Sequence, residues 1–122
     1  MEPTEALQVA TDFFVGYGQD LLARDADALA GRYSVPGLIL FPGEPVAVTS
    51  REQTREFFSG AFDQYEGIRD TRSEITLLAN TKTAIWADVT WHHDSGVTER
   101  LVYQLVRTGQ AWQIAVLTPV EL

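Results

Sequence analysis

Asp88, His92, Tyr17 and Tyr103 are the residues best suited to proton transfer or hydrogen-bond catalysis. Asp88 sits within Ala84-Ile85-Trp86-Ala87-Asp88-Val89-Thr90-Trp91, a run whose side chains alternate between two faces when extended. A carboxyl desolvated there has its pKa raised and becomes a usable general acid or base. The alternative is a solvent-facing carboxylate that keeps the sheet soluble. His92 shares the face of Asp88 but stands about 13 Å away at the rise of a strand. The two form no direct dyad, although both could touch one ligand. His93 points to the opposite face, so the two histidines cannot chelate one metal, and no metal site is expected. Tyr17 and Tyr103 are phenols that need a partner when buried and can donate to a carbonyl or enolate oxygen. Core packing with a satisfied hydroxyl is the rival reading for each tyrosine. For each histidine it is a rim position near a hairpin tip.

The elements that carry these residues are legible from periodicity. Ala6, Ala10, Phe13, Phe14, Tyr17 and Leu21 recur at steps of three and four, which predicts a first helix with Thr4 as its cap. A short second helix opens at Asp25 and carries Ala28, Leu29 and Tyr33 on one side. Pro36-Gly37 breaks the chain before a strand over Leu38-Ile39-Leu40-Phe41, a turn at Pro42-Gly43-Glu44-Pro45 and a brief strand over Val46-Ala47-Val48. Ser50 to Gln53 reads as a capping box for a third helix, which presents Phe57, Phe58, Ala61, Phe62 and Tyr65 and stops at Gly67. Strands are then predicted over residues 73–79, 82–93, 97–107 and 111–118, with turns at Asp94-Ser95-Gly96 and Thr108-Gly109-Gln110. Helices set apart from a meander make an α+β fold, read as one domain over residues 1–122.

The chain has 122 residues, 45% of them hydrophobic and 21% charged, enough to bury a core and too apolar for disorder. Its net charge of −8 argues against nucleic acid as a partner. No apolar run approaches the ~20 residues of a membrane helix. The acidic start, Met1-Glu2-Pro3-Thr4-Glu5, lacks the order of a signal peptide, so a cytoplasmic location is expected. The absence of cysteine excludes disulfides, a thiolate nucleophile and Cys-based metal sites. Arginine outnumbers lysine heavily, a hint of a GC-rich bacterium. No phosphate loop or nucleophile elbow is present.

In order and spacing, the chain resembles the NTF2-like superfamily, and within it the SnoaL-like and ketosteroid-isomerase-like branch. The signs are the long first helix, the Ala23-Arg24-Asp25-Ala26-Asp27-Ala28-Leu29 link and the Phe41-Pro42-Gly43 turn. The Ser50-capped helix and the closing Gly109-Gln110-Ala111-Trp112-Gln113-Ile114 strand complete the set. The resemblance implies a cystatin-like cone, with three N-terminal helices packed on a strongly curved, mixed and mostly antiparallel sheet. It also implies an apolar pocket inside and frequent dimerisation through the outer sheet face. Aligned without gaps, Tyr17 takes the place of the isomerases' oxyanion tyrosine and Tyr103 that of their protonated aspartate. Phe41 takes the place of their general base, so steroid isomerisation is not expected.

Which hairpin face lines that pocket depends on the turn. A two-residue Ser95-Gly96 loop pairs His92 with Glu99 and Asp88 with Tyr103, whereas a three-residue loop puts Tyr103 beside Ala87. The two-residue loop agrees with the family alignment and is the favoured expectation. It places Trp86, Asp88, Thr90, His92 and Tyr103 in the pocket. Ile85, Ala87, Val89, Trp91, Val102 and Val106 then form an apolar outer patch for a homodimer. The resulting expectation is a protein that binds a small, largely apolar molecule between helices and sheet, with Phe13, Phe41, Phe58, Phe62, Trp86, Thr90, Leu101 and Trp112 around it. Cofactor-independent acid–base chemistry of isomerase, cyclase or dehydratase type would fall to Asp88, Tyr17, Tyr103 and His92. A non-catalytic ligand-binding or dimerisation module is the alternative.

Overall fold

The apolar stripe of the first twenty residues dictates the longest helix. In the computed structural model, which describes residues 1–121, α1 spans Pro3–Leu22 and buries Ala6, Ala10, Phe13, Phe14, Tyr17 and Leu21 along one side. Pro3 sits in the first turn, where a missing N–H is harmless. Glu2 stands at the N-cap without a side-chain bond, so Thr4 lies inside the helix and is not its cap. α2 (Ala26–Gly31) is capped by Asp25, which accepts the Ala28 N–H at 3.0 Å. Tyr33, expected on this helix, instead opens β1 (Tyr33–Phe41), which pairs with β2 (Glu44–Val48). α3 (Arg51–Ala61) starts at Ser50, whose hydroxyl accepts the Gln53 N–H while Gln53 Oε1 accepts the Thr49 N–H. It ends in a 3₁₀ turn over Phe62–Tyr65, short of the expected stop at Gly67.

β3 (Thr71–Asn80), β4 (Ala84–His93), β5 (Thr98–Thr108) and β6 (Ala111–Val120) complete a six-stranded sheet of order β2-β1-β6-β5-β4-β3. β1 runs parallel to β6 and every other pair is antiparallel, so the sheet is mixed and the fold α+β. The pairing shifts between Leu77 and Ala79, between Gln104 and Leu105, and between Tyr33 and Leu38. Such irregularities bend strands and deepen twist, which curves the sheet around α1. Phe14 fills the concave side, its ring centroid 4.6 Å from that of Tyr103 and 6.1 Å from that of Trp91.

The β4–β5 turn is the three-residue Asp94-Ser95-Gly96 loop, contrary to the favoured two-residue expectation. His93 N–H donates to the Val97 carbonyl at 3.0 Å, and Gly96, at φ 90°, supplies the left-handed residue such a loop needs. Asp94 closes the corner by accepting the Arg69 N–H. Ala87 therefore faces Tyr103, Asp88 faces Val102 and Trp91 faces Glu99. Burial explains why this register wins: Ile85, Ala87, Val89 and Trp91 are larger and drier in sum than the alternate set, and all four are buried. They form the core and not the expected outer patch. Trp86, Asp88, Thr90 and His92 lie on the convex face with Val102 and Val106.

Candidate functional site

Three tyrosines from different elements meet under α1. Tyr17 comes from the buried stripe of α1, Tyr33 from the first position of β1, and Tyr103 from the inner face of β5. The Tyr17 and Tyr33 hydroxyls are 2.6 Å apart, and the Trp91 indole N–H donates to the Tyr103 hydroxyl at 3.0 Å. One of the Tyr17–Tyr33 pair donates to the other, which leaves the acceptor's proton free. Tyr103 accepts from Trp91, and among the described residues no acceptor receives its own proton. Burial pushes all three phenols well above the usual tyrosine pKa. They stay protonated and remain donors.

These residues line a cavity of about 480 Å³. Its walls are apolar, with Ile39 and Phe41 from β1, Phe57 and Phe58 from α3, Leu101 from β5 and Leu117 from β6. Phe41 and Phe57 stack at 5.8 Å. The rim is polar, formed by Gln64, Tyr65 and Glu99. The volume falls in the range of about 300–1,000 Å³ seen for small-molecule sites, and apolar walls with a few convergent polar groups are their usual composition.

Beside the rim lies a second polar group. The His93 side chain is 2% exposed. Its Nδ1 is 2.9 Å from Thr71 Oγ1 and its Nε2 is 2.8 Å from Glu99 Oε2. The Tyr65 ring packs edge-on against the imidazole at 5.8 Å. Burial pushes the Tyr65 phenol up to about 12.

Of the residues singled out from the sequence, Tyr17, Tyr103, Phe41, Phe58 and Leu101 line the cavity. Asp88, His92, Trp86 and Thr90 do not, because the hairpin register turns them to the convex face. There Asp88 is held by Arg100, whose Nε and Nη2 reach its carboxylate at 3.0 and 2.5 Å. That hydrogen bonding lowers the Asp88 pKa, the reverse of the rise expected from desolvation. His92 Nε2 sits 2.8 Å from Glu74 on the same outer face. Phe13 packs beneath the Arg32 guanidinium, 5.3 Å from ring centroid to Cζ. Phe62 lies in the 3₁₀ turn and Trp112 near the β5–β6 turn, both outside the cavity lining.

Sequence reasoning missed Tyr33, Trp91, Glu99 and His93. Tyr33 was recoverable from Tyr33-Ser34-Val35, β-forming residues ahead of a proline. Trp91 and His93 follow from the three-residue turn, whereas Glu99 shares the β5 face of Leu101 and Tyr103 in either register.

No curated protein matches the chain at significant similarity. Its fold matches a domain of unknown function with a cystatin-like fold from Nostoc punctiforme, with a TM-score of 0.76 at 14% identity over 99% of this chain and 80% of that one. It also matches a candidate scytalone dehydratase from Novosphingobium aromaticivorans, with a TM-score of 0.66 at 13% identity over 99% of this chain and 89% of that one. A candidate aromatic ring hydroxylase from the same species gives a TM-score of 0.69 at 15% identity, covering 100% of this chain and 92% of that one. At these identities the likeness is one of fold. The sequence profile of one family covers residues 5–122, and the chain belongs to that family, described as NTF2-like protein (DUF6841).

Proposed function

We propose that this protein binds a small, largely apolar molecule in the cone and holds one of its oxygen acceptors, such as a ketone carbonyl, with tyrosine hydroxyls. The observation that carries the reading is the Tyr103 hydroxyl, which accepts from Trp91 and keeps its own proton for something in the cavity. A phenol that accepts a hydrogen bond is polarised into a better donor. In a water-poor cavity such donors favour negative charge developing on a bound oxygen. This is the arrangement that cofactor-independent acid–base chemistry of isomerase or dehydratase type uses. It supports placing the chain near the SnoaL-like branch. The fold relative described as a scytalone dehydratase is compatible with that reading and does not by itself argue for it.

The test is binding of 2-acetylnaphthalene against 2-ethylnaphthalene, followed by isothermal titration calorimetry. The ketone binds more tightly, and Tyr103→Phe removes most of its advantage, about five- to tenfold for one buried hydrogen bond. Equal affinity of the two probes, or no effect of Tyr103→Phe, contradicts the proposal. The non-catalytic alternative draws support from the outer placement of Asp88 and His92, which leaves neither in contact with a cavity ligand. Homodimerisation through the convex face is also part of the reading, with Trp86, Val102 and Val106 now the apolar contribution of β4 and β5.

A further inference from the structure

We infer that Glu99, oriented by His93, is the proton acceptor for the molecule bound in the cavity. The inference rests on the proposed small-molecule site and deepens it. Among the described residues lining that cavity, Glu99 is the only carboxylate. Its Oε2 meets His93 Nε2 at 2.8 Å, and its side chain is 43% exposed, so it can exchange a proton with solvent after each cycle. The imidazole is fixed from the other end, where Thr71 Oγ1 lies 2.9 Å from Nδ1. A buried imidazole held on both nitrogens sets the direction of the carboxylate, as a third group orients the base in other acid–base sites.

The same strand geometry connects Glu99 to the donors. Glu99, Leu101 and Tyr103 share the inner face of β5, and Trp91 lies directly across from Glu99 on β4. The Trp91 indole N–H donates to the Tyr103 hydroxyl at 3.0 Å, so that hydroxyl adjoins the side chain standing opposite Glu99. A ligand of one or two rings can then present a carbonyl to Tyr103 and an acidic C–H to Glu99. The C–H bond breaks, its proton goes to Glu99, and the electron pair moves onto the carbonyl oxygen as an enolate held by the Tyr103 O–H. Return of the proton to a different carbon completes an isomerisation with no net redox change. Glu99 is the catalytic residue, and His93 is a positioning residue.

The probe is 5-nitrobenzisoxazole, a neutral aromatic carbon acid. Removal of its ring C–H proton by a base forms a nitrile as the N–O bond breaks, giving a coloured cyanonitrophenolate. Binding is read from isothermal titration calorimetry and turnover from colour. The expected result is turnover above buffer, with Glu99→Gln lowering kcat at least about tenfold and leaving KM within about twofold. His93→Leu lowers kcat similarly at unchanged KM. His93→Gln, which keeps a donor toward Glu99, restores most of the rate, and a melting curve for each variant reports the fold. Binding without turnover, or turnover untouched by Glu99→Gln, overturns the role of Glu99 and leaves the binding site standing. Failure of the wild type to bind the probe overturns both.

Discussion

Tyr103 and Asp88 show how side-chain surroundings decide what a titrating group can do. Tyr103 is 2% exposed and protonated well beyond its ordinary range by burial, so it keeps its proton to donate while its oxygen accepts from Trp91. Because the buried tyrosines have folded pKa values above their unfolded ones, their contribution to stability is complete below about pH 10. It falls as pH rises beyond that point. Urea midpoints measured from pH 8 to 11 should be flat and then decline, and the decline should be shallower in Tyr103→Phe. Asp88 behaves in the opposite sense, since hydrogen bonds from Arg100 lower its pKa. The pair stabilises the fold above the ordinary carboxylate range and loses its effect as pH drops through the depressed value. A double-mutant cycle of Asp88→Asn and Arg100→Gln should give a favourable coupling at pH 7. The coupling should weaken as pH drops below the ordinary carboxylate range. Asp88→Asn should leave ketone binding unchanged, and weaker binding would return Asp88 to the site.

Among the elements, the helices were the easiest to read, because a 3.6-residue stripe and the Asp25 and Ser50 caps are local signals. Each cap forms in the structure, and Ser50→Ala should destabilise the protein by about 1 kcal/mol in a urea titration. The strands were equally visible, but the face each presents was not. Trp86 was expected in the pocket and Trp91 on the outer patch, and the three-residue turn with Gly96 at positive φ reverses them. That single turn moved Asp88 and His92 out and brought Trp91 and His93 in, so half of the expected catalytic set changed with one residue of register. The first half of β1, ahead of the expected strand at Leu38–Phe41, was hidden for a different reason. Its strand passes through Pro36-Gly37, residues that ordinarily end one. Gly37 is required because a Cβ there would stand 2.8 Å from the Ser34 carbonyl and 3.2 Å from that of Ala115. Backbone atoms cannot give way, so Gly37→Ala should destabilise by about 1–3 kcal/mol and lower the melting temperature.

For the molecule as a whole, the six-stranded sheet presents two faces of different character. The concave face, α1 and α3 enclose the cavity, and the convex face carries Trp86, Val102 and Val106 beside the Asp88–Arg100 pair. If two copies pack through that convex face, Trp86→Glu should shift the protein toward monomer in sedimentation velocity without altering ligand binding. A protein that is monomeric before the substitution would remove the convex face from consideration. Among the described residues no helix is long and apolar enough to cross a membrane. The most direct test of the central idea, that the cone holds an apolar molecule by its oxygen, is a crystal structure of the protein with 2-acetylnaphthalene. The expected density lies between α3 and the sheet, with the carbonyl oxygen about 3 Å from the Tyr103 hydroxyl. A ligand bound outside the cone, or inside it with the carbonyl turned to the rim, would contradict that idea.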